Sequence, residues 1–328
     1  MFNLITIGDI VIDTHVQIHD ASLECKIENK PCQLCLDYAS KIPITDSFQS
    51  LGGNAANVAV GAAKLGLETA ILSSIGSDLN GDMAIEELNR FKVNTDLIYK
   101  EEKNPTRYSI VLNFQTERTI LSYHKKRKYT WPKNLPQTDW IYYTGLSDGF
   151  KKIKSNLLTW LKKHPKTSLA FNPGSFQLKH HLDEVKKTAS HADVLIINLQ
   201  EAEKILNTTL KESKKINPIM NGLLNLGAKE AVITDAEKGA YVGSGKEIWH
   251  MEACPVHVVA KTGAGDAFSA GFVTARCLGY NRPQALRWGI VNSCAVITKI
   301  GAQNGLLTKN QMKAMLLRHS AIKPKPLS

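Results

Sequence analysis

The sequence predicts an α/β protein built on a central, mostly parallel sheet, with a small second β-sheet standing off it. Three observations lead there. Apolar strand-like runs alternate with segments of helical spacing along most of the chain. Two stretches, 14–50 and 107–123, break that rhythm with β-like patterning and no helical period. Glycine-rich turns stand directly before two small-residue helices.

Residues 4–12 form an Ile/Val-rich strand interrupted at Gly8-Asp9, and residues 54–65 form a helix ended by Gly66. A strand follows over 69–75. Apolar positions 83, 85, 88 and 91 then give a helical face. Residues 108–114 and 118–123 read as a hairpin. Strands over 139–144, 168–171, 193–198 and 230–234 alternate with helices over 150–161, 201–206 and 219–226. A strand over 256–259 leads into the second glycine turn, and two helices follow Gly265. The tail around 323–326, Lys-Pro-Lys-Pro, reads as frayed. Such alternation implies parallel strands covered on both faces.

A chain of 328 residues has room for two domains or one large α/β domain with an appendage. Its composition, 43% apolar and 22% charged, excludes disorder. Six cysteines are too few for a disulfide scaffold. No basic, apolar leader opens the chain and no run of 18 apolar residues occurs, so a soluble, cytoplasmic protein without membrane contact is expected. The net charge of +11 admits nucleic acid, a membrane surface, anionic small molecules such as nucleotides, or solvated helix faces. Most basic pairs are scattered, and only Lys125-Lys126-Arg127-Lys128 is dense.

The strongest chemical signal is Lys261-Thr262-Gly263-Ala264-Gly265-Asp266. Small residues let backbone N–H groups approach a ligand, and the helix behind them adds positive potential, a combination that holds phosphate. Asp266 is placed to take a proton from an attacking hydroxyl. The competing reading is a tight turn with an acid at a helix start. The second signal is Gly52-Gly53-Asn54-Ala55-Ala56-Asn57, with two amides one turn apart, suited to sugar hydroxyls.

In this order and about 200 residues apart, the two elements resemble the signatures of the PfkB family of carbohydrate kinases, with the ribokinase-like fold. Gly8-Asp9-Ile10-Val11-Ile12-Asp13, Ile75-Gly76-Ser77-Asp78, Asn198-Leu199-Gln200-Glu201 and Thr234-Asp235 through Gly239 extend the resemblance over nearly the whole chain. It implies a three-layer α/β/α domain over 1–328 with a β-sheet lid drawn discontinuously from about 14–50 and 104–125. It also implies transfer of the γ-phosphoryl group of ATP to a sugar hydroxyl. Asp266 matches the general base, and the N–H groups of Gly263, Ala264 and Gly265 match the anion hole. Asp13, Gly53, Asn54 and Asn57 match sugar-binding positions. Asn198 and Glu201 match the motif that positions Mg²⁺, largely through water. Thr234, Asp235, Gly239 and Asn292 match the nucleotide pocket, and the lid matches a surface that makes homodimers.

Departures from the family pattern sharpen the expectations. Ala260-Lys261 replaces a frequent Asp-Thr whose aspartate helps hold a monovalent cation, so the lysine is expected to supply that charge and remove the cation requirement. Ala236 stands where a turn glycine is usual. Cys25, Cys32 and Cys35 fall in the lid, where a zinc site is the weaker alternative to ordinary strand residues. Arg107, if it reaches the sugar, favours a phosphorylated or acidic substrate. The ranking is a neutral sugar, then a nucleoside, then a sugar phosphate. The rival of another class is a non-catalytic nucleic-acid-binding or regulatory protein using the basic block.

Overall fold

β1 (Phe2–Ile7) lies inside a ten-stranded sheet, between β6 (Thr69–Gly76) and β10 (Thr138–Tyr143), and pairs with both in parallel. The structure is a computed structural model and describes residues 1–25, 32–115, 117–123, 125–210 and 215–327. Beyond β6 lies β7 (Ile98–Glu101). On the other side β11 (Ser168–Phe171), β12 (Val194–Asn198) and β13 (Glu230–Thr234) continue in parallel. An antiparallel edge of β14 (Ala240–Ser244), β15 (Glu247–Met251) and β16 (Lys325–Leu327) closes the sheet. The fold class read from the sequence is the observed one.

Strand periodicity places the two cores. Ile141, Tyr143, Leu195 and Ile197 pack against α3 (Phe150–Lys163), α6 (Leu199–Leu206) and α7 (Ile216–Leu224). The alternate residues Tyr142, Val194 and Ile196 pack against α8 (Ala264–Cys277) and α9 (Arg282–Val296). Side chains two apart share a face, so each strand feeds both layers. α1 (Asn54–Lys64) and α2 (Leu79–Arg90) cover the sheet beside β1 and β6, around Ile71 and Ile75.

A four-stranded accessory sheet, ordered β5 (Ile44–Gly52), β2 (Val11–Ile18), β8 (Arg107–Phe114) and β9 (Glu117–Ser122), accounts for the segments that broke the rhythm. β3 (Ser22–Glu24) and β4 (Gln33–Cys35) add a small hairpin, beside which Cys25 and Cys32 form a disulfide. The pairing leaves two of these three cysteines unable to ligate zinc, while Cys35 remains a thiol.

Several expectations are corrected. Residues 256–259 join no ladder; Val259 and Ala260 donate their N–H groups to the Ile297 carbonyl at 2.8 and 3.2 Å, so this segment docks on the end of α9 instead. The tail is strand β16, because β15 offers it an open edge. A third helix, α10 (Lys309–Arg318), follows Gly265 in addition to the two expected. Helices α4 (Ser175–His180) and α5 (Leu182–Ala189) fill a crossover left unassigned in the sequence.

Candidate active site

The carboxyl ends of the parallel strands meet where strand order reverses around β1, and ligands of open α/β sheets bind in such crevices. β1 delivers Asp9, β10 delivers Gly145, β11 delivers Asn172, and β12 is followed by Glu201 in the first turn of α6. All four residues line one cavity of about 420 Å³. The accessory sheet supplies another wall through Asp13, Arg107 and Tyr108, while Thr262, Gly263 and Asp266 close the end.

Asp266 sits in the first turn of α8, at the floor of this cavity. Asn57 donates Nδ2–H to Asp266 Oδ2 at 2.8 Å. Gln303 Nε2 in turn donates to Asn57 Oδ1 at 2.9 Å and to the Leu51 carbonyl at 3.1 Å, which turns the Asn57 amide group toward the carboxylate. Burial pushes the Asp266 carboxyl up to about 6; the Asn57 hydrogen bond opposes this and the negative charge of Asp13 adds to it. Gly263 caps α8 at φ 78°, and a Cβ there would lie 2.6 Å from Ala302 Cα, so only glycine fits the turn. The first-turn N–H groups of α8 have no acceptor within their own helix.

The other sequence-derived substrate positions converge here. Gly53, at φ 93°, caps α1 with no room for a Cβ against the Asp9 carbonyl, and Asn54 and Asn57 follow it into the cavity. Asp13 accepts a hydrogen bond from Ser109, and burial raises its carboxyl above the usual carboxylate range. Arg107 lines the cavity too, in a buried ion pair with Asp9. Asp9 also accepts from Tyr129 Oη at 2.6 Å and from the Ser147 N–H at 3.0 Å. This Asp9 network was not singled out from the sequence; an acid inside an apolar run was the available signal.

Asn198 caps α6 and exchanges hydrogen bonds with Glu201. The Glu201 N–H donates to Asn198 Oδ1 at 2.8 Å, and the Asn198 N–H donates to Glu201 Oε2 at 3.0 Å. Burial raises the Glu201 carboxyl, with the Asp266 charge adding to the effect. Asn172, unassigned in the sequence, donates to the Ile196 carbonyl at 2.8 Å and accepts from Tyr142 Oη at 3.1 Å.

A second cavity of about 450 Å³ lies on the far side of the glycine turn. Thr234, Gly239, Ala264 and Gly265 line it, with apolar walls at Val256 and Phe268. The 262–266 turn is therefore a partition, touching one cavity through Asp266 and the other through Gly265. Asn292 does not reach that cavity, contrary to its sequence assignment. It is fully buried, donating to the Ala267 carbonyl at 2.7 Å and accepting from the Leu307 N–H at 3.2 Å, while its neighbour Ser293 faces the space. Asp235 is outside the lining and pairs with Lys238 at 3.6 Å. Lys261 lines the second cavity and lies 3.6 Å from Glu117 of the accessory sheet.

Within the dense basic block Lys125, Lys126 and Lys128 are exposed, while the fourth member is enclosed. Arg127 is 3% exposed, donates to the Pro105 carbonyl and lies 3.9 Å from Glu101, and Lys128 sits over the Tyr99 ring. Two cavities that meet at one glycine turn, with a carboxylate on one side of it and a helix N-terminus behind it, are a layout that suits a group-transfer enzyme. Residues 37–309 match the pfkB family carbohydrate kinases, and the chain belongs to that family. It is 22% identical to the ATP-dependent 6-phosphofructokinase of Thermoanaerobacterium thermosaccharolyticum over 96% of this chain and 94% of the relative. It is 25% identical to a nucleoside kinase of Methanocaldococcus jannaschii over 85% and 90%. The fold matches the Arabidopsis thaliana ribokinase solved with ribose and ATP at a TM-score of 0.79 and 19% identity, covering 96% of this chain and 98% of that one. These names span three substrate classes, so family membership leaves the acceptor open.

Proposed function

We propose that the protein is an ATP-dependent kinase that phosphorylates a hydroxyl of a neutral sugar. The observation that carries the acceptor class is the charge of the 420 Å³ cavity. Asp9, Asp13, Glu201 and Asp266 line it, and among the described residues its one cationic side chain, Arg107, is already ion-paired with Asp9. Such a wall repels a phosphorylated or acidic acceptor and suits a polyol bound by carboxylates and amides. A nucleoside is the second reading, favoured by the stacked Tyr108–Tyr123 pair and Phe176 on the same walls.

In this reading Asp266 accepts the proton of the acceptor hydroxyl as its oxygen forms a bond to the γ-phosphorus. The bond from that phosphorus to the β–γ bridging oxygen breaks, and ADP leaves into the second cavity. The N–H groups of Gly263, Ala264 and Gly265 meet the charge on the transferring oxygens. Asp13, Asn54 and Asn57 orient the acceptor, and Thr234 and Gly239 border the nucleotide.

Mg²⁺ fits the donor set. Glu201 is a recessed carboxylate destabilised by neighbouring Asp266, and among the described residues no cluster of three ligating side chains exists to make a full cage. A cation that takes one or two carboxylates and completes its shell with water and phosphate oxygens suits this. Bound there, it would neutralise phosphate charge, with Asn198 holding Glu201 in place.

ATP as donor argues for a cytoplasmic protein. Exposed Ile44, Phe48, Ile120 and Leu121 on the accessory sheet support a lid that also pairs two copies of the chain. ADP release measured across neutral sugars, nucleosides and sugar phosphates tests the proposal. A neutral sugar should turn over fastest. Preference for a sugar phosphate would overturn the acceptor class, and absence of turnover with salt-sensitive RNA binding would favour the non-catalytic rival.

A further inference from the structure

A third cavity, of about 700 Å³, lies outside both reactant cavities. One face of α10 forms a wall, through Thr308, Gln311, Met315 and Arg318 at helical spacing. Lys299, just beyond α9, and Lys64, at the end of α1, face it from other elements, joined by His257 and His319. Among the described residues no carboxylate lines this space. The volume is within the range of small-molecule sites.

Its charges lack internal compensation. Burial, and then the like charges of Lys299 and Arg90, push the Lys64 ammonium below its usual range. Lys64 has an aromatic neighbour, the Phe91 ring at 5.8 Å, but no carboxylate within ion-pair distance among the described residues. Burial and the neighbouring Arg318 and Arg287 push the His319 imidazole down in the same way. Three elements distant in sequence thus line one cavity with cations, and Lys64 and Lys299 are close enough to repel each other, an arrangement an anionic occupant would relieve. The N-terminus of α10, capped by Thr308, adds positive potential at one end.

We propose that this cavity is a binding site for a phosphate-bearing small molecule, separate from the site of phosphoryl transfer. Two connections make it an effector site. Pro255 and Val256 line both this cavity and the nucleotide-side cavity. Leu307, also in the lining, bonds through Asn292 to the Ala267 carbonyl, one residue beyond Asp266. An occupant would therefore press on a wall of the nucleotide cavity and on the helix that carries the proposed base.

Calorimetric titration with inorganic pyrophosphate, with the transfer site saturated by ADP and Mg²⁺, tests this. One pyrophosphate should still bind. Lys64→Ala/Lys299→Ala should weaken it about tenfold or more while leaving ADP affinity unchanged. The exposed pair Lys299→Ala/Arg318→Ala makes the same test without altering a partly buried residue, and retained ADP affinity reports that the variants fold. Complete competition by ADP, or pyrophosphate affinity unchanged in both double variants, would overturn the proposal. A parallel titration with AMP identifies the ligand: tighter binding than pyrophosphate points to a nucleotide, weaker binding to a bare phosphate. None of these readings requires turnover, so they stand or fall apart from the kinase proposal.

Discussion

Asn57 donates a 2.8 Å hydrogen bond to Asp266 across 209 positions of sequence. It joins the first glycine-rich helix to the second and ties the proposed sugar side of the site to the proposed base. Gln303 fixes which end of the Asn57 amide faces the carboxylate.

The first consequence concerns the base. Asp266→Asn keeps the size and the hydrogen-bonding capacity toward Asn57 but cannot accept the proton. Turnover should fall by ~10² or more with ATP affinity retained. Near-normal turnover in a coupled ADP assay would remove Asp266 from that role.

The pH profile follows from the Asp266 carboxyl, which burial raises to about 6. The base works only when ionised, so kcat should rise with pH through about 6 and then level. Asn57→Ala removes a hydrogen bond that lowers this value, so the acid limb should move to higher pH. An unmoved limb would contradict the coupling. Stability has the opposite sign. A carboxyl with a raised folded-state pKa stabilises most below its unfolded value, near 4, and loses that contribution as pH rises through about 6. Wild-type Tm relative to Asp266→Asn should therefore decline across that window.

Two glycines of the turn should respond differently. Gly263→Ala forces a left-handed backbone and a clash with Ala302, and should cost about 1–3 kcal/mol of stability along with activity. A methyl group on Gly265 would meet nothing within 4 Å beyond its own helix, and the residue lines the second cavity, the proposed nucleotide side. Gly265→Ala should retain Tm and raise the KM for ATP. Thermal melts with initial rates separate the two effects.

Lys261 adjoins the turn where many family members place an aspartate and threonine, and it lines the second cavity, the proposed nucleotide side. Turnover should be the same in sodium and potassium buffers. A large potassium activation would show that the ammonium does not substitute for a bound cation.

Arg107→Ala should destabilise the fold by about 3–5 kcal/mol, because it leaves Asp9 buried without its ion-pair partner. Arg107→Ala with Asp9→Asn should recover part of that loss. Urea midpoints of the two variants measure it, and equal midpoints would show that the pair contributes little.

The sequence by itself determined the strand–helix alternation and the two helix starts carrying Asp266 and Asn57, and it showed the Asn198–Glu201 pair by resemblance, though not as the helix cap it forms. Each is written within a few residues, as an apolar period or a glycine that permits a left-handed turn. Tertiary structure alone decided the rest. Asn292 looked like a pocket residue yet satisfies buried backbone groups, and Arg127 looked like part of a surface patch yet is enclosed. Gln303 gave no local sign of its partner 246 positions away, and Arg107 gave none of Asp9. A polar side chain's role depends on what the folded chain brings beside it, and that is set by the packing of distant elements rather than by the residue's own neighbours.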